Sequence, residues 1–159
     1  MTLRTFSNLK GMPVYCNKSA FLLGHVTDLY LSSKGQVFGL IMEGKGLLNR
    51  DRFIPIEAIH ALGDNGVMVE DRDKLLPLQT VKTNDEYIPY DHLHFKSVLT
   101  KEGEKLGLLE DVYISEEMET IEAYELTDGF FADLTEGKKV VKASGEPLAI
   151  SKDAIVIDF

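Results

Sequence analysis

Short runs of apolar and β-branched residues, separated by turn-forming residues, follow one another along the whole chain. The spacing that marks an amphipathic helix is weak throughout, apart from a possible turn within residues 71–78. Short strands at close spacing, all bounded by turns, predict an all-β protein built from barrels rather than from a parallel α/β sheet. The runs are residues 13–15, 23–31, 37–42, 53–59 and 67–69 in the first half, and residues 97–99, 106–114, 120–125, 148–150 and 154–157 in the second.

The two halves of the sequence repeat each other. Residues 23–32 align with residues 106–115, and Leu, Gly, Asp, Tyr and Ser coincide at five positions. Each copy follows one β-prone run and precedes another, so the common unit is strand, turn, strand, turn, strand. Gly24, at the start of the repeated strand, predicts a bulge or a point where another backbone comes close.

Turn residues divide the runs into hairpins. Gly35 closes a Ser-Ser-Lys-Gly turn, where it can adopt a positive φ, and Asn65-Gly66 is a strong hairpin signal between apolar runs. In the second copy residues 115–118 occupy the place of the first turn without a glycine. That turn is therefore expected to be longer or of another type.

The order of these segments resembles the PRC-barrel family, which includes the cytoplasmic domain of the H subunit of photosynthetic reaction centres and the C-terminal domain of ribosome-maturation factors. The similarity lies in residues 24–30, residues 37–41, the Phe-Ile-Pro-Ile-Glu-Ala-Ile segment at 53–59 and residues 66–69. It extends more loosely over residues 95–159, where the Phe-Ile-Pro-Ile segment has no clear counterpart.

The resemblance implies an all-β protein of two small PRC-type β-barrels in tandem, joined by a short linker. We expect the first barrel at residues 5–75, the linker at 76–92 and the second barrel at 93–159. The family similarity also implies a docking module without catalytic residues or cofactor. A role in ribosome assembly is less favoured, because no additional domain precedes the first barrel in this sequence.

Charge is unevenly distributed. Residues 1–80 contain 9 Lys and Arg against 8 Asp and Glu, whereas the remaining residues contain 8 against 18, giving a net charge of −9. Such a surface repels phosphate backbones, so nucleic acid is not an expected partner. An acidic face attracts a basic protein, but it also serves simply to keep a protein in solution, and both interpretations remain open.

Other compositional features suggest a soluble cytoplasmic protein. No apolar stretch approaches the roughly 20 residues of a membrane span, and residues 1–10 lack the apolar run of a secretory signal. The single cysteine, Cys16, cannot form an intramolecular disulfide, which fits a reducing compartment. We therefore expect no membrane insertion.

His92 and His94 are the candidate metal ligands. They would point to the same side of a strand, near Asp91, but no sequence spacing supplies a third and a fourth ligand. Polar contacts between the two modules explain them more simply. We therefore expect no metal site, and these two histidines are only weak candidates for metal ligands.

Catalytic signatures are missing from the sequence. Cys16 has no Cys-His family motif around it, no nucleophile elbow occurs, and Gly44-Lys45-Gly46 lacks the remainder of a phosphate-binding loop. The carboxylates crowded within residues 110–125 fit an exposed face at least as well as a paired-acid site. We expect the protein not to be an enzyme.

Two aromatic segments are candidates for an interaction surface. Tyr87 and Tyr90 flank an Ile-Pro pair, and Phe130 follows a glycine directly before Phe131. Packing of a linker against a barrel explains such segments, as does an exposed patch for a partner or a second copy.

Three functional hypotheses follow from the sequence. The first is a non-catalytic adaptor for a protein partner, either a basic or a membrane-associated one. The second is a small metal-dependent enzyme or ligand-binding protein that uses His92 and His94. The third is a structural unit that assembles with itself into a homo-oligomer.

Overall fold

The structure, a computed structural model, describes residues 4–44, 50–81, 87–127, 139–142 and 149–158. Among these residues no helix is long and apolar enough to cross a membrane. A helix, α1 (Phe6–Leu9), and 3₁₀ turns at Ile56–Ala58, Arg72–Lys74, Leu78–Thr80 and Tyr90–His92 interrupt the strands. The strands are β1 (Arg4–Thr5), β2 (Pro13–Cys16), β3 (Leu22–Ser32), β4 (Val37–Gly44), β5 (Arg52–Pro55), β6 (Ile59–Leu62), β7 (Val67–Val69), β8 (Leu76–Pro77), β9 (Tyr87–Pro89), β10 (Ser97–Thr100), β11 (Lys105–Ile114), β12 (Ile121–Thr127), β13 (Lys139–Lys142), β14 (Ala149–Ile150) and β15 (Ala154–Ile157).

The strands form two sheets with the same topology. The first runs β6-β7-β2-β3-β4-β5, with β8 added at its end, and the second runs β14-β15-β10-β11-β12-β13. Each has one parallel pair, β2 with β7 and β10 with β15, while the other neighbours are antiparallel. The predicted all-β fold of two tandem barrels is confirmed, and β13 supplies the counterpart of β5 that the sequence did not reveal.

The central hairpins of the two sheets have related turns. Gly35 has φ +80° in the first, and Met118, 83 positions later, has φ +62° in the second. The Ser32 N–H donates to the carbonyl of Gln36, whereas the Ser115 N–H donates to that of Thr120, so the second loop is one residue longer, as predicted. A methionine takes the left-handed conformation where the first repeat uses glycine.

Gly24 lies where two backbones approach closely, as predicted. A Cβ atom at this position would lie 2.0 Å from the Glu43 carbonyl oxygen on the neighbouring strand β4. The Asn65-Gly66 hairpin is also present, because β6 and β7 are antiparallel and the Gly63 N–H donates to the Gly66 carbonyl at 3.0 Å.

Strand pairing connects the two halves. The predicted linker at 76–92 contains β8 and β9, which pair with β5 and β3 of the first sheet. Strand β1, near the start of the chain, pairs with β11 of the second sheet. The largest cluster of buried apolar side chains includes residues of both sheets, so the halves share a continuous core.

Candidate functional site between the repeats

Each repeat donates a short segment to the other repeat. In β1, Thr5 lies opposite Tyr113 of β11, and in β9, Pro89 lies opposite Tyr30 of β3. Tyr30 and Tyr113 are equivalent positions in the repeat, so the two exchanges are related by an approximate twofold symmetry. A helical turn follows each exchanged strand, α1 after β1 and Tyr90–His92 after β9.

An aspartate anchors each exchanged segment. Asp28 accepts the Leu29 N–H at 2.8 Å and the Asp91 N–H of the incoming segment at 3.1 Å. Its repeat counterpart, Asp111, accepts the Val112 N–H at 2.9 Å and the N–H of Ser7 at 3.3 Å. The pairing with the neighbouring strand shifts by one residue just before each aspartate, which turns its carboxylate toward the incoming backbone.

The two aspartates have different environments. The Ser7 hydroxyl donates to the second carboxylate oxygen of Asp111. At Asp28 burial raises the pKa of the carboxyl from its ordinary value of 3.8 to about 6, against the opposing effect of the N–H groups of Leu29 and Asp91.

The exchanged segments meet through Phe6 and Tyr90. Their ring centroids are 4.8 Å apart, and each side chain is only 4% exposed. The Tyr90 hydroxyl donates to the Glu110 carbonyl at 3.2 Å, and burial strongly raises the pKa of this phenol. Tyr90, a predicted residue of an interaction surface, is instead buried in the core between the repeats.

A small crevice opens beside this contact. Its volume is 120 Å³, and it receives side chains from both exchanged segments and both repeated strands. Acidic groups outnumber basic ones around it. The lining residues are Phe6, Ser7, Lys10, Thr27, Asp28, Tyr90, Asp91, His94, Glu110 and Asp111.

An exposed aromatic residue stands next to the crevice. Phe95 is 52% exposed, has φ +66°, and stacks on the His94 ring with centroids 3.9 Å apart. Its N–H donates to the Leu109 carbonyl at 2.7 Å. In the first repeat Gly11 has φ +86° and donates to the equivalent carbonyl of Val26 at the same distance. Phe95 therefore adopts a glycine conformation.

His92 and His94 were predicted to point to one side of a strand, but neither residue lies on a strand. His92 ends a 3₁₀ turn, and the Tyr90 carbonyl accepts the N–H groups of Leu93 at 2.8 Å and His94 at 3.1 Å, which closes a tight turn. In the described ranges no three His, Cys, Asp or Glu side chains are grouped so that they could hold a metal ion.

The other predicted interaction residues have separate positions. Tyr87 is half-buried and packs edge-on against Phe38, with ring centroids 4.2 Å apart. This contact fits the interpretation of a connecting segment packed on a barrel. Phe130 and Phe131 lie outside the described residues.

Neither the conformation of Phe95 nor the role of the two aspartates was predicted from the sequence. The coincidence of Asp28 with Asp111 was visible, but the exchange that gives them a purpose depends on tertiary structure. The equivalence of Phe95 with Gly11 was hidden because the offset between the repeats is 84 there rather than 83. Aligning the segments before each repeat separately would have revealed it.

Comparisons with known proteins agree with the duplicated architecture. The family model for the PRC-barrel domain matches residues 1–76 and again residues 85–159. The chain is also similar to the uncharacterized protein YrrD of Bacillus subtilis strain 168, with 33% identity over 159 residues that cover 99% of this chain and 88% of that protein. The chain belongs to the PRC-barrel family, with two copies of the domain in tandem.

Proposed function

We propose that this protein is a non-catalytic cytoplasmic adaptor that binds a protein partner at the junction between its two repeats. The observation that carries the proposal is Phe95, a large exposed side chain held at φ +66°. Such a conformation disfavours a residue with a Cβ by roughly 1–2 kcal/mol, and strain of this kind is concentrated at functional sites. Gly11 provides the same backbone geometry in the other repeat without this strain.

The position of Phe95 suits an anchor in an interface. Its ring stacks on His94, which in turn lies 6.1 Å from the Tyr90 ring between centroids. Because Tyr90 is buried in the shared core, this row of rings gives the exposed phenylalanine a firm base. Aromatic side chains on a rigid base are the residue type that most often dominates binding energy in interfaces.

The charge around the crevice favours a basic partner. Asp28, Asp91, Glu110 and Asp111 contribute carboxylates to its lining, against one lysine, and the chain as a whole has a net charge of −9. A Lys or Arg side chain from the partner could approach this crevice while an apolar group covers Phe95. Electrostatic attraction of this kind accelerates association and selects basic partners.

The cytoplasmic location is part of the proposal. The sequence contains one cysteine, Cys16, which the structure buries as a free thiol. Proteins of reducing compartments make little use of disulfides, so this composition supports an intracellular partner.

The test is comparative capture from native lysate with three forms of the full chain: wild type, Phe95→Gly and Phe21→Ala. Phe21 is 64% exposed and is not one of the residues that line the crevice, so its truncation is a matched loss of an exposed ring. We expect a protein that wild type and Phe21→Ala retain and Phe95→Gly loses. Titration calorimetry with that purified protein should then show at least about tenfold weaker binding for Phe95→Gly.

A second control separates binding from stability. Ala20 has φ +63° and is exposed, so Ala20→Gly relieves the same type of backbone strain away from the crevice. We expect Ala20→Gly to keep the partner. Retention of every captured protein by Phe95→Gly would contradict the proposal, and recovery of only the chain itself would favour self-assembly instead.

A further inference from the structure

A second cavity lies at one end of the first barrel. Its volume is 510 Å³, and strands β3, β4 and β5 contribute to it together with the segment that leads into β8. This volume is within the range of roughly 300–1,000 Å³ that is usual for small-molecule sites. The lining residues are Leu23, Met42, Gly44, Arg50, Arg52, Arg72, Asp73, Leu75 and Pro77.

Arginine is concentrated at this cavity. The sequence contains four arginines, and three of them, Arg50, Arg52 and Arg72, line it. Asp73 is the one carboxylate among the described lining residues, so the lining has an excess of positive charge. This excess stands out in a chain whose net charge is −9.

The fourth arginine, Arg4, has a structural role. Arg4 donates to the carbonyls of Leu62 at 3.0 Å and Gly63 at 3.1 Å, and its guanidinium lies 3.8 Å from an Asp64 carboxylate oxygen. Within the described ranges, by contrast, the guanidinium groups of the three cavity arginines have no hydrogen bond or ion pair. Their charges are available to a ligand.

We propose that this cavity binds a small molecule that carries a phosphate group. Guanidinium groups present planar pairs of N–H donors that match phosphate oxygens, and several of them together suit an anion with more than one negative charge. Leu23, Leu75 and Pro77 provide apolar wall on which the organic part of a phosphate ester can pack. The site is separate from the crevice at Asp28 and independent of the proposed adaptor function.

The test uses inorganic pyrophosphate and adenosine diphosphate as probes in titration calorimetry of the full chain without magnesium. The variant is Arg50→Gln with Arg52→Gln and Arg72→Gln, and the matched control is Lys101→Gln with Lys105→Gln and Lys152→Gln, which removes the same charge from exposed positions in the second repeat. We expect both probes to bind wild type and the control, with about tenfold or greater weakening in the arginine variant. The organic phosphate should bind more tightly than pyrophosphate, because it also covers the apolar wall.

Sedimentation with vesicles distinguishes a soluble ligand from a lipid headgroup. The vesicles contain phosphatidylglycerol in phosphatidylcholine, and we expect the chain to remain in the supernatant. Arginine-dependent binding to these vesicles without binding to either soluble probe would overturn the proposal. The proposal would also be overturned if neither probe bound the wild-type chain, or if the arginine variant and the lysine control lost the same amount of affinity. Circular dichroism establishes that the arginine variant, all of whose substitutions lie outside the core, remains folded.

Discussion

The rings of Phe6 and Tyr90 pack against each other at 4.8 Å, and each belongs to the segment that its own repeat donates to the other. Neither segment is part of the sheet that follows it in the chain. The contact therefore joins both sheets at a point where each has borrowed a strand from its neighbour. We therefore expect the two small barrels, each of them marginal alone, to unfold as one cooperative unit.

Truncation of Phe6 should destabilise both repeats together. Phe6→Ala leaves a cavity in the shared core, and we expect the free energy of unfolding to fall by about 3–4 kcal/mol. Urea unfolding, followed by far-ultraviolet circular dichroism and by tyrosine fluorescence, should give one coincident transition. The exposed Phe21 serves as the control, with a change within about 0.5 kcal/mol for Phe21→Ala. Two separated transitions in wild type would contradict a single unit.

The aspartates at equivalent positions should respond oppositely to the same substitution. Burial raises the pKa of Asp28 from 3.8 to about 6, so the folded state holds a proton more tightly than the unfolded state. Stability from this group is therefore present below pH 4 and is lost as the pH rises toward 6. At pH 8 we expect Asp28→Asn to stabilise the protein by about 1–2 kcal/mol, with the gain disappearing near pH 4.

Asp111 is the matched position for that experiment. It accepts the N–H groups of Val112 and Ser7 and the Ser7 hydroxyl, so an amide there loses bonds to a carboxylate and must place an NH₂ group near a donor. We expect Asp111→Asn to reduce the free energy of unfolding by about 1–3 kcal/mol. Urea unfolding of both variants at pH 4 and pH 8 is the measurement. Changes in the free energy of unfolding that have the same sign for both variants at pH 8 would refute the interpretation.

Local sequence patterns predicted the sheets well, because both repeats alternate short apolar runs with clear turn residues. The glycine shared by the two repeats, at Gly24 and Gly107, marks a close approach of neighbouring strands. The Asn65-Gly66 pair marks the hairpin between β6 and β7. The exchange of β1 and β9 was not predictable, since it depends on which of two nearly identical sheets a short strand joins. The alternation of apolar and polar residues in such a strand is the same whichever of the two sheets it joins.

The candidate sites were the least predictable part. Phe95 follows two candidate histidines, but its significance lies in a positive φ that the sequence does not express. The cavity arginines come from residues 50–52 and from residue 72, which only the fold brings to one cavity. Tyr90 was predicted to belong to an interaction surface because it is an aromatic residue in a linker. The same apolar character explains why it is buried in the core instead.

The close approach at Gly24 should make this position intolerant of a side chain. A Cβ would lie 2.0 Å from the Glu43 carbonyl oxygen, which is backbone and cannot move aside without breaking the pairing of β3 with β4. We expect Gly24→Ala to cost about 3 kcal/mol or more. In Gly63→Ala the nearest atom is 3.8 Å away, so that control should change stability by less than about 1 kcal/mol. Thermal unfolding of both variants checks the difference, and a tolerated alanine at position 24 would contradict the predicted clash.

Two buried tyrosines should differ in what their hydroxyl groups contribute. The Tyr124 hydroxyl is buried with no hydrogen-bond partner among the residues the structure describes, and burial raises the pKa of its phenol. Since a buried hydroxyl without a partner loses its water without compensation, Tyr124→Phe should raise the free energy of unfolding by about 1 kcal/mol. Tyr90→Phe removes a hydroxyl that donates to Glu110 and should lower it by a similar amount. Urea unfolding of both variants gives the comparison, and a loss of stability in Tyr124→Phe equal to that in Tyr90→Phe would show that the Tyr124 hydroxyl has a bonding partner after all.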